Sequence, residues 1–131
     1  MNIKISVPAT AFRKDSKTPD QQLFASIDGL SSDELFGDYL LDHNNPHLSG
    51  LRIRDGSLRF EFNQTSHELW ATIIYEVERK LSSDEEDALV KYTLGQLSDG
   101  IGENLTQDYV RNTGVVINPT ADPAKAKVHY L

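Results

Sequence analysis

The chain has 131 residues, 38% hydrophobic and 25% charged, with a net charge of −7 and no cysteine. That length fits one domain with a packed core, and the acidic balance opposes nonspecific nucleic-acid binding and anionic membranes. Without cysteine there is no disulfide, thiolate zinc site, iron–sulfur cluster or thiol nucleophile, a usage that fits the reducing cytoplasm.

In chain order, Ile3, Ile5 and Val7 alternate with Lys4 and Ser6, which predicts a short strand. Pro8 is expected to end it or to place it at a sheet edge. The N-terminal segment holds no apolar signal core, and no apolar run reaches the ~20 residues that span a bilayer. Residues 13–20 are polar and read as a loop. Leu23, Phe24 and Ile27 fall at helical spacing, with Gly29 near the end of a short helix. Ser31 and Glu34 stand three apart, as in a capping box opening a second helix that carries Leu35, Phe36, Tyr39 and Leu40. That helix should stop before Asn44-Asn45-Pro46.

Leu51-Arg52-Ile53-Arg54 and Leu58-Arg59-Phe60-Glu61-Phe62 flank Asp55-Gly56-Ser57. A two-residue turn at Asp55-Gly56 would set Ile53 opposite Leu58 and Leu51 opposite Phe60. After a loop at residues 64–68 comes a long strand. Its core face is Leu69, Ala71, Ile73, Tyr75 and Val77, and Trp70, Thr72, Ile74 and Glu76 take the other. Ser82-Ser83-Asp84-Glu85-Glu86 caps the main helix, whose stripe is Val90, Leu94, Leu97 and Ile101. Val115-Val116-Ile117 reads as a strand, and residues 118–131 as an extended C-terminal segment whose last five residues could pair at a sheet edge. The order predicts an α+β fold: a small antiparallel sheet, built from a central hairpin and a long strand, with helices mainly on one face.

Two constellations could bind. The first is the outer sheet face, where Arg52, Arg54 and Arg59 point the same way and Arg52 should oppose Arg59. Such like-charge pairs need neutralising, by Glu61, Glu76 and Glu78 or by an anionic partner. Trp70 and Ile74 share this face, and arginine beside tryptophan is common at interface hot spots. The second is Asp99-Gly100-Ile101-Gly102-Glu103. It follows a helix rather than preceding one, so its carbonyls and acids suit a cation and oppose phosphate. Its spacing is not that of an EF-hand. In Asp42-His43-Asn44-Asn45-Pro46-His47 the proline makes a helix-ending loop, so His43 and His47 are not assigned a metal. His67 lies in an interstrand loop, and no G-x-S-x-G turn occurs.

Ser98-Asp99-Gly100-Ile101-Gly102-Glu103-Asn104, behind the Leu89-to-Leu97 helix, resembles a segment of small uncharacterised proteins of bacteria and their mobile elements. Those usually carry tryptophan at Ile101 and often glycine at Asn104. The resemblance covers residues 82–107 and implies a recurring strand–helix–loop unit with no known activity.

The expectation is a small cytoplasmic interaction or regulatory module without cofactor. It would act through a protein partner or self-association, not through nucleic acid or membrane. The rival is a metal-dependent hydrolase or small-molecule enzyme using His43, His47, His67, Asp99 and Glu103. No catalytic residue is assigned.

Overall fold

A computed structural model describes residues 1–13, 15–16, 18–29, 31–32, 53–99 and 114–131. Within them, β1 (Asn2–Arg13), β2 (Ser31–Ser32), β3 (Ile53–Asn63), β4 (Glu68–Val77), β5 (Val115–Pro119) and β6 (Lys127–Tyr130) form one sheet. The order is β2-β3-β4-β1-β5, with β6 also on β1, and every pairing is antiparallel. Two α-helices, α1 (Phe24–Ile27) and α2 (Ser83–Asp99), and two short 3-10 helices, Gln21–Leu23 and Pro123–Lys125, complete the described elements. The class is α+β.

The first correction concerns β1. Pro8 neither ends this strand nor makes it an edge; β1 runs on to Arg13 with partners on both sides. On one side lies β4. On the other, β6 covers Ile3 to Ser6 and β5 covers Ala9 to Arg13. The carbonyls of Asn2 and Pro8 accept from Leu131 and Thr120, at 3.0 and 2.9 Å. Even-numbered main-chain groups of β1 therefore face β5 and β6, because backbone direction alternates along a strand. Proline lacks an N–H, and here that missing donor falls at the seam between two tandem strands, where Thr120 closes the end of the β5 pairing with a single bond, to the Pro8 carbonyl.

The second correction concerns Asp55-Gly56. It is not a turn: Ile53 to Asn63 is one strand lying along β4. Ile53 pairs with Val77 and Gly56 with Tyr75, so three steps on β3 match two on β4. The Asp-Gly pair thus sits in a β-bulge, which uses the same backbone-permissive residues as a tight turn. Ile53 does not face Leu58, and Leu51 and Arg52 lie outside the described residues. The hairpin turn comes later, where Asn63 Oδ1 accepts from Thr65 and Ser66 N–H at 2.9 and 3.2 Å.

The third correction concerns Ser31. It does not open a helix; Ser31 and Ser32 pair with Arg59 and Leu58 as β2. The preceding turn is pinned to β3 before a helix could start. Phe62 N–H donates to Asp28 Oδ1 at 2.9 Å, and Gly29 N–H donates to the Phe60 carbonyl at 2.8 Å. The helix expected beyond it lies outside the described residues.

One face of the sheet is core. Ile3, Ile5, Val7, Leu58, Phe60, Leu69, Ala71 and Ile73 are buried, and α2 adds Leu89, Leu94 and Leu97 to the same cluster. Burial of each large side chain contributes ~1.5–3 kcal/mol. Two buried residues make a polar link through this layer. Thr93 donates to the Leu89 carbonyl at 2.7 Å, which leaves Tyr75 O–H to donate to Thr93 Oγ1 at 2.6 Å. Burial pushes the Tyr75 phenol well above its ordinary range, so it stays neutral.

Helix α2 starts as its sequence predicts. Glu85 N–H donates to Ser82 Oγ at 3.2 Å and Ser82 N–H donates to Glu85 Oε1 at 2.9 Å, a reciprocal capping box. Arg79 grips the same carboxylate with two bonds of 2.8 Å. The Arg79 bonds first, then those from Ser82, lower the Glu85 carboxyl from 4.5 to about 2. Its stabilising contribution is therefore complete above pH 4.5 and is lost as the pH falls toward 2. Urea unfolding across that range should show an acid-side loss in the native chain that Glu85→Gln lacks. At neutral pH, Ser82→Ala should cost ~0.5–2 kcal/mol. Parallel pH curves for native and Glu85→Gln chains would contradict the capping role.

Candidate functional site

The outer face is built from the residues between the core positions. Reading across β3, β4 and β1, one rung is Glu61–Trp70–Pro8. The next is Arg59–Thr72–Ser6–Lys127, and the one after is Ser57–Ile74–Lys4–His129. Within these rungs, side chains of β1, β3, β4 and β6 surround a shallow cavity of ≈ 280 Å3. Lys4, Ser6, Trp70, Lys127 and His129 line it, with Glu61, Asn63 and Glu68 toward the hairpin end.

Three contacts set its geometry. Lys127 Nζ lies 4.7 Å from the centroid of the Trp70 ring, within cation–π range. Lys4 Nζ donates to Glu61 Oε2 at 3.2 Å, spanning β4. Ser6 and Thr72 hydroxyls meet at 3.2 Å between them. The lysine stems cover apolar surface while their ammonium groups stay near water.

The strand that carries Lys127 and His129 is itself fixed from the core side. Leu81 N–H donates to Tyr130 Oη at 3.0 Å, and Tyr130 O–H donates to Glu86 Oε1 at 2.7 Å. Burial, then the hydrogen bond to Glu86, hold this phenol above its ordinary value. Lys80 Nζ lies over the same ring at 5.6 Å. The end of β6 is thereby tied to the start of α2.

The residues singled out from sequence separate into two groups. Trp70 and Ile74 lie on the outer face of β4, half-buried, with Arg59 exposed on β3 beside them. Arg59 stands opposite Thr72 and Ser31, not opposite Arg52, because β3 is continuous through the bulge. Arg54 lies in β3, and Asp99 is the last residue of α2. Arg52, His43, His47, Gly100, Gly102 and Glu103 lie outside the described residues, so the cation loop and the histidine pair are not placed. His67 sits in the hairpin turn with φ 56°, its ring 6.3 Å from that of Phe62. Among the described residues, no three histidine or carboxylate side chains converge as a metal site.

Sequence reasoning passed over Lys4, Ser6, Lys127 and His129. Their signal was present as alternation, because Lys127 and His129 interleave with Val128 and Tyr130 as Lys4 and Ser6 do with Ile3 and Ile5. Which strand pairs with which is what the pattern does not state.

Comparison with known proteins gives no match to any family model, curated protein or solved structure. No described helix is long and apolar enough to cross a membrane.

Trp70 is the single tryptophan, so its emission reports this site alone. Lys127→Met should change that emission while lowering the unfolding free energy by only ~0.5–1 kcal/mol, the range of an exposed cation–π contact. Emission identical to that of the native chain would mean that the contact is absent in solution.

Proposed function

We propose that this chain is a protein-interaction module and that the outer sheet face around Trp70 is its contact surface. The observation that carries this reading is the half-buried Trp70 ring, with Lys127 over it in a shallow cavity and Arg59 one rung away on β3. Aromatic and cationic side chains gathered on a rigid sheet are the usual anchors of protein interfaces. A strand-borne surface is also pre-organised, so little ordering entropy opposes association.

In this reading α1 and α2 back the core face and leave the opposite one for the partner. The burial of Phe24 and Ile27 from α1, and of Leu89 and Leu97 from α2, in the cluster with Ile5 and Ile73 supports that division. The absence of cysteine supports a cytoplasmic setting. The local resemblance around Ser98-Asp99 points to a bacterial or mobile-element origin. Metal-dependent hydrolysis has less support: among the described residues, no three histidine or carboxylate side chains converge as a metal site.

A photoreactive amino acid at position 74, on the same outer face of β4 as Trp70 and two rungs from it, should yield one discrete adduct in cells. Trp70→Ala should abolish it, and the same reagent at exposed Asp87 on α2 should not give it. No adduct at position 74, or one that survives Trp70→Ala, would overturn the interaction reading.

A further inference from the structure

The register of β6 on β1 sets a two-by-two block at one end of the cavity, with Lys4 across from His129 and Ser6 across from Lys127. All four belong to the outer face, and each can present an N–H or O–H donor. Two ammonium groups, an imidazole and a hydroxyl are thus concentrated on a chain whose net charge is −7.

The two lysines are held differently. Lys4 is already on a carboxylate, that of Glu61 at 3.2 Å, so this corner of the face accommodates an acid. Lys127 rests on the Trp70 ring, and among the described residues no carboxylate lies within ion-pair distance of it. By contrast, Arg13 and Arg79 are paired with Asp20 and Glu85.

We infer that the partner presents an acidic segment and inserts one carboxylate side chain into this cavity. Its oxygens take the Lys127 ammonium, with His129 and Ser6 beside them, and its aliphatic stem lies against Trp70. This rests on the interaction reading above and supplies the partner's chemistry. The volume, ≈ 280 Å3, falls at the lower end for a small-molecule pocket and suits a single inserted side chain.

The nearby acids set a limit that the cations must outweigh. Glu61 is engaged by Lys4. Glu68 lines the same cavity two residues along β4 from Trp70, ~7 Å, so it disfavours a seated carboxylate, against the attraction of Lys127 and the donors of His129 and Ser6. At 0.1 M salt, charges beyond ~10 Å are largely screened. The overall negative charge therefore slows approach more than it weakens a seated carboxylate.

The test is a titration of Trp70 emission with a capped hexaglutamate peptide in ~0.1 M salt. Capped hexaglutamine and inorganic phosphate serve as controls. Hexaglutamate should give a saturable change and hexaglutamine none. Lys127→Met, which keeps the stem over the ring, should weaken binding by about tenfold, the loss expected for one charge-assisted contact. Lys91→Met, exposed on α2, should bind as the native chain does. No saturable change with hexaglutamate, an equal response to phosphate, or full binding by Lys127→Met would each overturn the inference. A discrete adduct at position 74 in a chain that ignores hexaglutamate would remove the acidic chemistry and leave the interaction reading standing.

Discussion

The structure depends on β1 being satisfied along both edges. A strand's N–H and C=O groups must find partners, and those of β1 find β4 on one side and β6 followed by β5 on the other. That double pairing draws together chain positions more than a hundred residues apart. It also decides the side-chain layers at once, because alternate residues of β1 go to opposite faces. Ile3, Ile5 and Val7 enter the core, while Lys4 and Ser6 reach the cavity. Pro8 marks the point where the two tandem partners meet, and its carbonyl takes Thr120 N–H as the chain crosses from β5 toward β6.

The cavity inherits its chemistry from that arrangement. Trp70 belongs to β4, Lys127 to β6 and Lys4 to β1, and only the sheet order β4-β1-β6 brings them within contact. The Tyr130 phenol, held by Leu81 and Glu86, fixes the far end of β6 from the core side. The same strand thus joins the start of α2 to the lining of the cavity. An ammonium over an indole is a modest contact in energy. Its value lies in holding a cation at the surface without a carboxylate to neutralise it.

Much of the architecture was legible in residue patterns. Period-two alternation located β1 and β4 and assigned Leu69, Ala71, Ile73 and Tyr75 to the core side. Ser82 and Glu85 announced the start of α2 through a capping box that forms as spaced. The errors share one cause: a local signal compatible with two backbones. Asp-Gly serves a bulge as well as a turn, proline serves a seam as well as an edge, and Ser31 serves a strand as well as a cap. In each case a distant partner chose. The bulge is set by Tyr75 and Val77, the seam by Thr120, and the strand at Ser31 by Arg59. The candidate site was half legible for the same reason. Trp70, Ile74 and Arg59 lie within or beside one hairpin, whereas Lys127 and His129 arrive through a pairing that spans the whole chain.

Amide hydrogen exchange resolved at Lys4 and Ser6 tests the central claim most directly. Backbone alternation turns these two N–H groups toward β6, while those of Ile5 and Val7 turn toward β4. If β1 is paired on both edges, Lys4 and Ser6 should exchange slowly, as Ile5 and Val7 do. Protection at Ile5 and Val7 with free exchange at Lys4 and Ser6 would show that β6 is not docked. In that case Lys127 would not reach Trp70, and the outer-face site would not exist.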